Sequence, residues 1–210
     1  MNVTIFGATG RTGRHLVEQA LAAGHQVTAF ARSPSKLDDL KAQNLQIVQG
    51  TIEQPERVEE AVREADVVVS ALGPTENKPT FTVTKGTQYI LDAMKKHGVQ
   101  RIIVSAGMGV PDPHDEPKFI NHAINVILNL VSRHVVADMS QVVDTVRSSD
   151  VEWVVVRVPM LTDDPATGEI KVGYVGKGVG GRLSRADMAH FMLEQIDDPQ
   201  YLQKAPAISN

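Results

Sequence analysis

The chain has 210 residues, 42% of them hydrophobic and 22% charged, with a net charge of −4. That length and composition suit one soluble domain with a sizeable core, and the net charge supplies no basic field to draw in nucleic acid or an anionic membrane. Cysteine is absent, which excludes disulfides, thiolate metal sites and a cysteine nucleophile and fits a cytoplasmic location.

The chain opens on a short β-rich run, residues 2–6, that ends in glycine and has no basic stretch before it, so it does not read as a signal peptide. Residues 11–23 place Leu16, Val17, Ala20 and Leu21 on one face and predict a helix, closed by Gly24. Residues 25–31 predict a second strand, 34–40 a short helix and 45–48 a third strand. Residues 55–64 predict a helix, with Pro55 near its start and Val58 and Val62 four apart. The run around Val67, Val68 and Val69, residues 66–72, has the continuous β-branched character of a strand buried on both faces. A long helix is expected over 80–97, ended by Gly98, and a fifth strand over 99–106.

The second half is less regular. Residues 107–117 read as a loop rich in glycine, proline and acids. Residues 118–131 predict a helix with a wide apolar face through Ile120, Ile124, Ile127 and Val131, suited to a lid, a core helix or a subunit contact. Its most apolar part, 123–131, is far short of the roughly 20 residues that span a bilayer. A helix over 135–148, a sixth strand over 152–158 and a small strand over 169–174 follow. Ser184, with Asp187 three residues on, marks the N-cap of a last helix.

The regular alternation of strand and helix is the pattern of an α/β protein with one Rossmann-like, doubly wound parallel sheet and helices on both faces. A single domain is expected over 1–210, with 1–106 as the dinucleotide-binding part and 107–210 as a lid and substrate-side part. Gly7, Gly50, Gly73 and Gly107 each follow a strand, which sets the ligand crevice at the carboxyl ends of the strands.

The chemistry is written most clearly in Gly7-Ala8-Thr9-Gly10-Arg11-Thr12-Gly13. A tight turn wants its first glycine, a backbone approaching a pyrophosphate wants the second, and close packing of helix on strand wants the third. The helix N-terminus then offers N–H groups and a positive dipole end to phosphate, and Thr9 and Thr12 can add hydroxyl donors. An NAD site usually carries an acid at the end of the second strand. Here that place reads Ala31-Arg32-Ser33-Pro34-Ser35-Lys36. A guanidinium at Arg32 can grip a 2′-phosphate in two places, with Lys36 and Ser33 assisting, so NADP(H) is the expected cofactor.

The glycine spacing, with Val27-Thr28-Ala29-Phe30-Ala31-Arg32, Lys95-Lys96-His97-Gly98-Val99, Ser105-Ala106 and the run from Ser184 to Leu193, resembles the atypical short-chain dehydrogenase/reductases. The similarity is to their NAD(P)H-binding family of flavin reductase (biliverdin-IXβ reductase) and NmrA-like proteins. The resemblance implies that Arg32 takes the 2′-phosphate and that Thr51 and Ile52 flank the adenine. It further implies that Ala71, Leu72 and Gly73 pass beneath the cofactor and that Ser105 and Ala106 stand near the nicotinamide. Pro159 and Met160 then line the pocket.

Related enzymes protonate a carbonyl with a Tyr and a Lys four residues apart. Tyr89, Tyr174 and Tyr201 have no such lysine, and alignment puts Val135 and Met139 at the two positions. Hydride transfer to a stacked acceptor survives that loss. The leading expectation is therefore an NADPH-dependent reductase of a flavin, quinone or similar conjugated small molecule, as a monomer or small homo-oligomer, with Ser105 as the candidate catalytic group. The alternative is a non-catalytic NADP(H) sensor of NmrA-like type. No metal is expected: His114-Asp115-Glu116 lacks defined ligand spacing and reads as a solvated acidic loop, and His122 and His134 lie near the lid helices.

Overall fold

The computed structural model describes residues 1–119 and 130–210. Strand β1 (Asn2–Phe6) buries every side chain after Asn2, and α1 (Arg11–Ala22) returns over the sheet with Leu16, Val17 and Ala20 inward. There follow β2 (Gln26–Ala31), a 3₁₀ turn (Pro34–Leu37), β3 (Leu45–Gln49), α2 (Pro55–Val62), β4 (Val67–Ser70), α3 (Thr82–His97) and β5 (Arg101–Gly107). The second half adds α4 (Arg133–Arg147), β6 (Glu152–Val158), β7 (Met160–Thr162), β8 (Lys171–Gly173), β9 (Arg182–Ser184), α5 (Arg185–Glu194) and β10 (Ala207–Ser209).

Eight strands form one sheet in the order β3-β2-β1-β4-β5-β6-β10-β8, and β7 pairs with β9 apart from it. The large sheet is parallel except for β8, which runs against β10. The winding reverses between β1 and β4, and in such sheets the crevice at that switch point is where ligands bind.

The β-branched run predicted to be doubly buried is so: Val67, Val68 and Val69 are fully buried and alternate between two cores. On one face α2, α3 and α4 pack Val58, Ile90, Met94 and Val143 against Phe6, Val68 and Ile102. On the other, α1 and α5 pack Leu16, Val17 and Met192 against Ile5, Val69 and Ile103. Each such side chain contributes about 1.5–3 kcal/mol by leaving water.

Two expectations change. The three-residue strands β7, β9 and β10 have no counterpart in the sequence reading. Asp115 is not solvated: its carboxylate pairs with the fully buried Arg157 at 2.7 Å through both oxygens, and Arg157 also donates to the Ala205 and Val110 carbonyls. An unpaired guanidinium there would be very costly, so Asp115 is drawn inward and the 107–117 loop with it. His114 stays exposed beside Asp112 (2.8 Å) and against the Tyr174 ring, and no metal-binding group exists among the described residues. Most of the helix expected over 118–131 lies outside the described residues. Among those described, no helix is long and apolar enough to cross a membrane.

Candidate functional site

The strand β1 ends in a turn that only glycine can make. Gly7 has φ +78°, a left-handed conformation, and a Cβ there would stand 2.9 Å from the Ala71 carbonyl oxygen. Its own carbonyl accepts from Gly10 N–H at 2.9 Å. Gly10 is the N-cap of α1, and no side chain caps that helix, which leaves its first N–H groups open to an anion. At Gly13 a Cβ would come within 1.9 Å of the Gly7 carbonyl oxygen. The helix therefore begins in direct contact with the strand end, and its positive end points into the switch-point crevice.

That crevice is a cavity of about 490 Å³. Gly7, Thr9 and Gly10 line it from β1, Arg32 and Lys36 from beyond β2, Thr51 and Ile52 from beyond β3, and Ala71, Leu72 and Gly73 from beyond β4. The Arg32 guanidinium and Lys36 ammonium are exposed and have no hydrogen bond or ion pair among the described residues. Two unpaired cations at the mouth of a glycine-lined cradle fit the phosphates of a dinucleotide.

Other expected residues lie elsewhere. Ser33 is exposed and outside the cavity lining. The Thr12 hydroxyl points at Met188 Sδ (3.8 Å) rather than into the cavity, so what Thr12 presents to the turn is its backbone. Arg11 donates to Asp163 at 2.7 Å, and Asp163 also receives Arg185 at 2.7 Å, which joins the glycine turn to the segment after β7. Ser105 and Ala106 end β5 and Pro159 follows β6 at the same edge of the sheet, outside the lining of that cavity. Ser105 is half-buried and its hydroxyl makes no hydrogen bond among the described residues. Met139 is buried in the core beside Val142 and Val143, as its apolar side chain dictates.

Sequence reasoning missed the far wall of the cavity: Pro74, Thr75, Glu76, Thr80, Thr82, Val83 and Asp138. Phe81 takes a left-handed backbone (φ 50°) and no local side chain caps α3. The cap comes from α4: the buried Asp138 carboxylate accepts from Thr84 N–H (2.9 Å), Thr84 Oγ1 (2.6 Å) and, at 3.3 Å, Val83 N–H. The available signal was an aspartate on the apolar face of a helix, beside Met139 and Val142, where a carboxylate needs a partner from another element. Asn77 adds a strap from the same loop, donating to the Val131 carbonyl (2.8 Å) and accepting from His134 N–H (3.0 Å). Gly86 completes the wall around Ile52, because a Cβ there would meet Ile52 Cγ1 at 1.9 Å and only a glycine lets α3 seat that side chain.

A doubly wound sheet with a glycine turn at its switch point defines a dinucleotide-binding protein. A model of the NAD(P)H-binding family matches residues 7–199, and the chain belongs to that family. It is 29% identical over 205 residues to an uncharacterized chloroplastic protein of Arabidopsis thaliana, covering 92% of this chain and 71% of that one. Among solved structures it is similar to a short-chain dehydrogenase/reductase of Veillonella parvula in complex with NADP (TM-score 0.80, 17% identity, 100% of this chain and 94% of that). It is also similar to ChuY, an anaerobillin reductase from Escherichia coli O157:H7 (TM-score 0.77, 21% identity, 100% and 97%). These two likenesses establish the Rossmann-type fold.

Proposed function

We propose that the protein is an NADPH-dependent reductase that delivers hydride to a planar conjugated acceptor such as a flavin or quinone. The observation that carries the cofactor choice is the pair Arg32 and Lys36, unpaired among the described residues, lining the same cavity as the glycine turn where an NAD site would hold a carboxylate. The turn and the open N-terminus of α1 hold the pyrophosphate, Ile52 and Leu72 bracket the adenine, and Arg32 and Lys36 take the 2′-phosphate. The bound nicotinamide supplies the hydride chemistry itself. The chain contributes position and exclusion of water, and Ser105 offers one free hydroxyl at the end of β5. With valine and methionine at 135 and 139, the proton that follows the hydride comes from water. The oxidoreductase reading is supported by similar proteins that are reductases, ChuY among them.

The test is oxidation of NADPH and NADH with riboflavin, flavin mononucleotide and simple quinones. Turnover that prefers NADPH is expected. Tight NADPH binding with no turnover on any acceptor would overturn the reductase reading in favour of a sensor, to which the apolar pair Val135 and Met139 also lends itself. Arg32→Ala should weaken NADPH roughly tenfold or more, as loss of hydrogen bonds to a charged group implies, and leave NADH unchanged. Equal NADPH affinity in that variant would sink the assignment of Arg32.

A further inference from the structure

The cations that line the mouth of the cavity sit at and just after the end of β2, where short turns rather than a long helix carry the chain. Between β2 and β3 there is a single 3₁₀ turn, Pro34–Leu37, with no side chain capping it. One anchor is internal: Leu37 is buried in the core with Leu16 and Val17, and Leu40 packs against the same core. The other is external and comes from α1, one residue past the phosphate turn. Arg14 Nη1 donates to the Lys36 carbonyl at 3.0 Å and to Asp39 Oδ1 at 3.1 Å, while Nη2 donates to Asp39 Oδ2. Glu18, one helical turn on, holds Arg14 Nε at 2.8 Å and so aims the guanidinium. Arg14 thus grips the backbone of Lys36 on one side while the Lys36 side chain lines the cavity on the other.

We propose that Arg14, clamped to Asp39 and to the Lys36 carbonyl, is a positioning residue for cofactor choice: it fixes the turn so that Lys36 stands with Arg32 where a 2′-phosphate is received. The proposal rests on the NADPH reading. An exposed ion pair adds little to global stability, so the pair acts on the order of one loop. Fixing the backbone that carries a binding side chain before the ligand arrives lowers the ordering cost of binding, and only a ligand that uses Lys36 gains from it. NADPH does and NADH does not. The pair also holds the two partners in their charged forms, since the Arg14 hydrogen bond keeps the Asp39 carboxyl below its ordinary range.

The rival reading is that Arg14 is simply one more cation near the phosphate. The two readings give opposite signs for Asp39→Asn. Release of Arg14 from its acid would tighten NADPH if the charge acted directly, and would weaken NADPH if the clamp is what matters. The experiment measures the Kd of NADPH and of NADH for the full chain, Arg14→Gln, Asp39→Asn, the double variant and Arg32→Ala, with thermal midpoints as a check on folding. Arg14→Gln and Asp39→Asn are each expected to weaken NADPH by roughly five- to tenfold, the lower part of the range typical of coupling between sites, and to leave NADH unchanged. The double variant should match the singles rather than their product, because both remove one interaction. Tighter or unchanged NADPH binding in Asp39→Asn, or equal weakening of both cofactors, overturns the proposal. If Arg32→Ala leaves NADPH binding intact, the NADPH reading itself falls, and the proposal falls with it. If Arg32→Ala weakens NADPH but the clamp variants do not, only the clamp is wrong.

Discussion

At Gly13 a single methyl group has no room, because the Gly7 carbonyl oxygen would lie 1.9 Å from it and that oxygen belongs to backbone that cannot swing aside. At Gly73 a built Cβ meets nothing within 4 Å, and its φ is not in the left-handed range. The two glycines flank the same crevice, yet they answer different demands. Gly13→Ala should cost about 1–3 kcal/mol or more through overpacking, lowering the urea midpoint and abolishing dinucleotide binding together. Gly73→Ala should leave the urea midpoint nearly unchanged and weaken cofactor binding alone, since Gly73 lines the cavity. If both variants unfold at the same urea concentration, the close contact at Gly13 is not what the glycine spacing protects. The need for Gly7 and Gly13 was legible in the sequence because the turn that uses them is local. The need for Gly86 was not: the side chain it clears for is Ile52, on the loop after β3, and only the fold brings the two together.

The same division between local and long-range cause runs through the elements. Strands β1 to β6 were legible because each is rich in apolar and β-branched residues and set between turn residues. The strands β7, β9 and β10 have three residues each, and what makes them strands is pairing with segments far along the chain. The N-cap of α5 was also legible, since Ser184 accepts from Asp187 N–H at 3.0 Å within one turn. What Asp187 does beyond that was not. It is buried, and burial works against its charge. Hydrogen bonds from Thr167 N–H, the Ser184 hydroxyl, Gly168 N–H and Asn210 Nδ2 outweigh this and hold its carboxyl below the ordinary range. One carboxylate thereby joins α5, the 167–169 segment and the end of β10. A carboxyl whose pKa is lower folded than unfolded contributes stability above its unfolded value of about 3.9, and that contribution is lost as pH falls through the folded value. Unfolding free energy should therefore fall on acidification below about pH 4, and Asp187→Asn should flatten part of that fall. Asp115, held below its ordinary range by Arg157 against its own burial, accounts for some of the remainder. Asp187→Ala leaves several buried donors without a partner, at about 1–3 kcal/mol each. Urea titrations at pH 7 and pH 3 decide it: an acid limb of the same slope in Asp187→Asn and the parent would remove Asp187 from the account.

For the whole molecule, the switch-point cavity and the proposed catalytic Ser105 occupy different parts of one sheet edge, so binding and the proposed chemistry can be tested separately. The cavity at the switch point draws on β1 to β4 and on α3 and α4, while Ser105 and Pro159 belong to β5 and to the residue after β6. A ligand that binds only the folded chain stabilises it by about 2.7 kcal/mol at a hundred times its Kd. A domain of this size gains roughly 2–4 °C per kcal/mol, so saturating NADPH should raise the thermal midpoint by about 5–10 °C. At the same concentration Arg32→Ala should lose most of that shift, because the loss in affinity lowers the ratio of ligand to Kd. Ser105→Ala should keep the shift in full and lose turnover on the acceptor, because Ser105 lies outside the lining of the cavity that the glycine turn, Arg32 and Lys36 share. A Ser105→Ala protein that loses the NADPH shift would place Ser105 among the residues that hold the cofactor. One that keeps both the shift and full turnover would leave hydride delivery to position alone, and the proposed reductase activity would then rest on how the sheet edge stacks cofactor and acceptor.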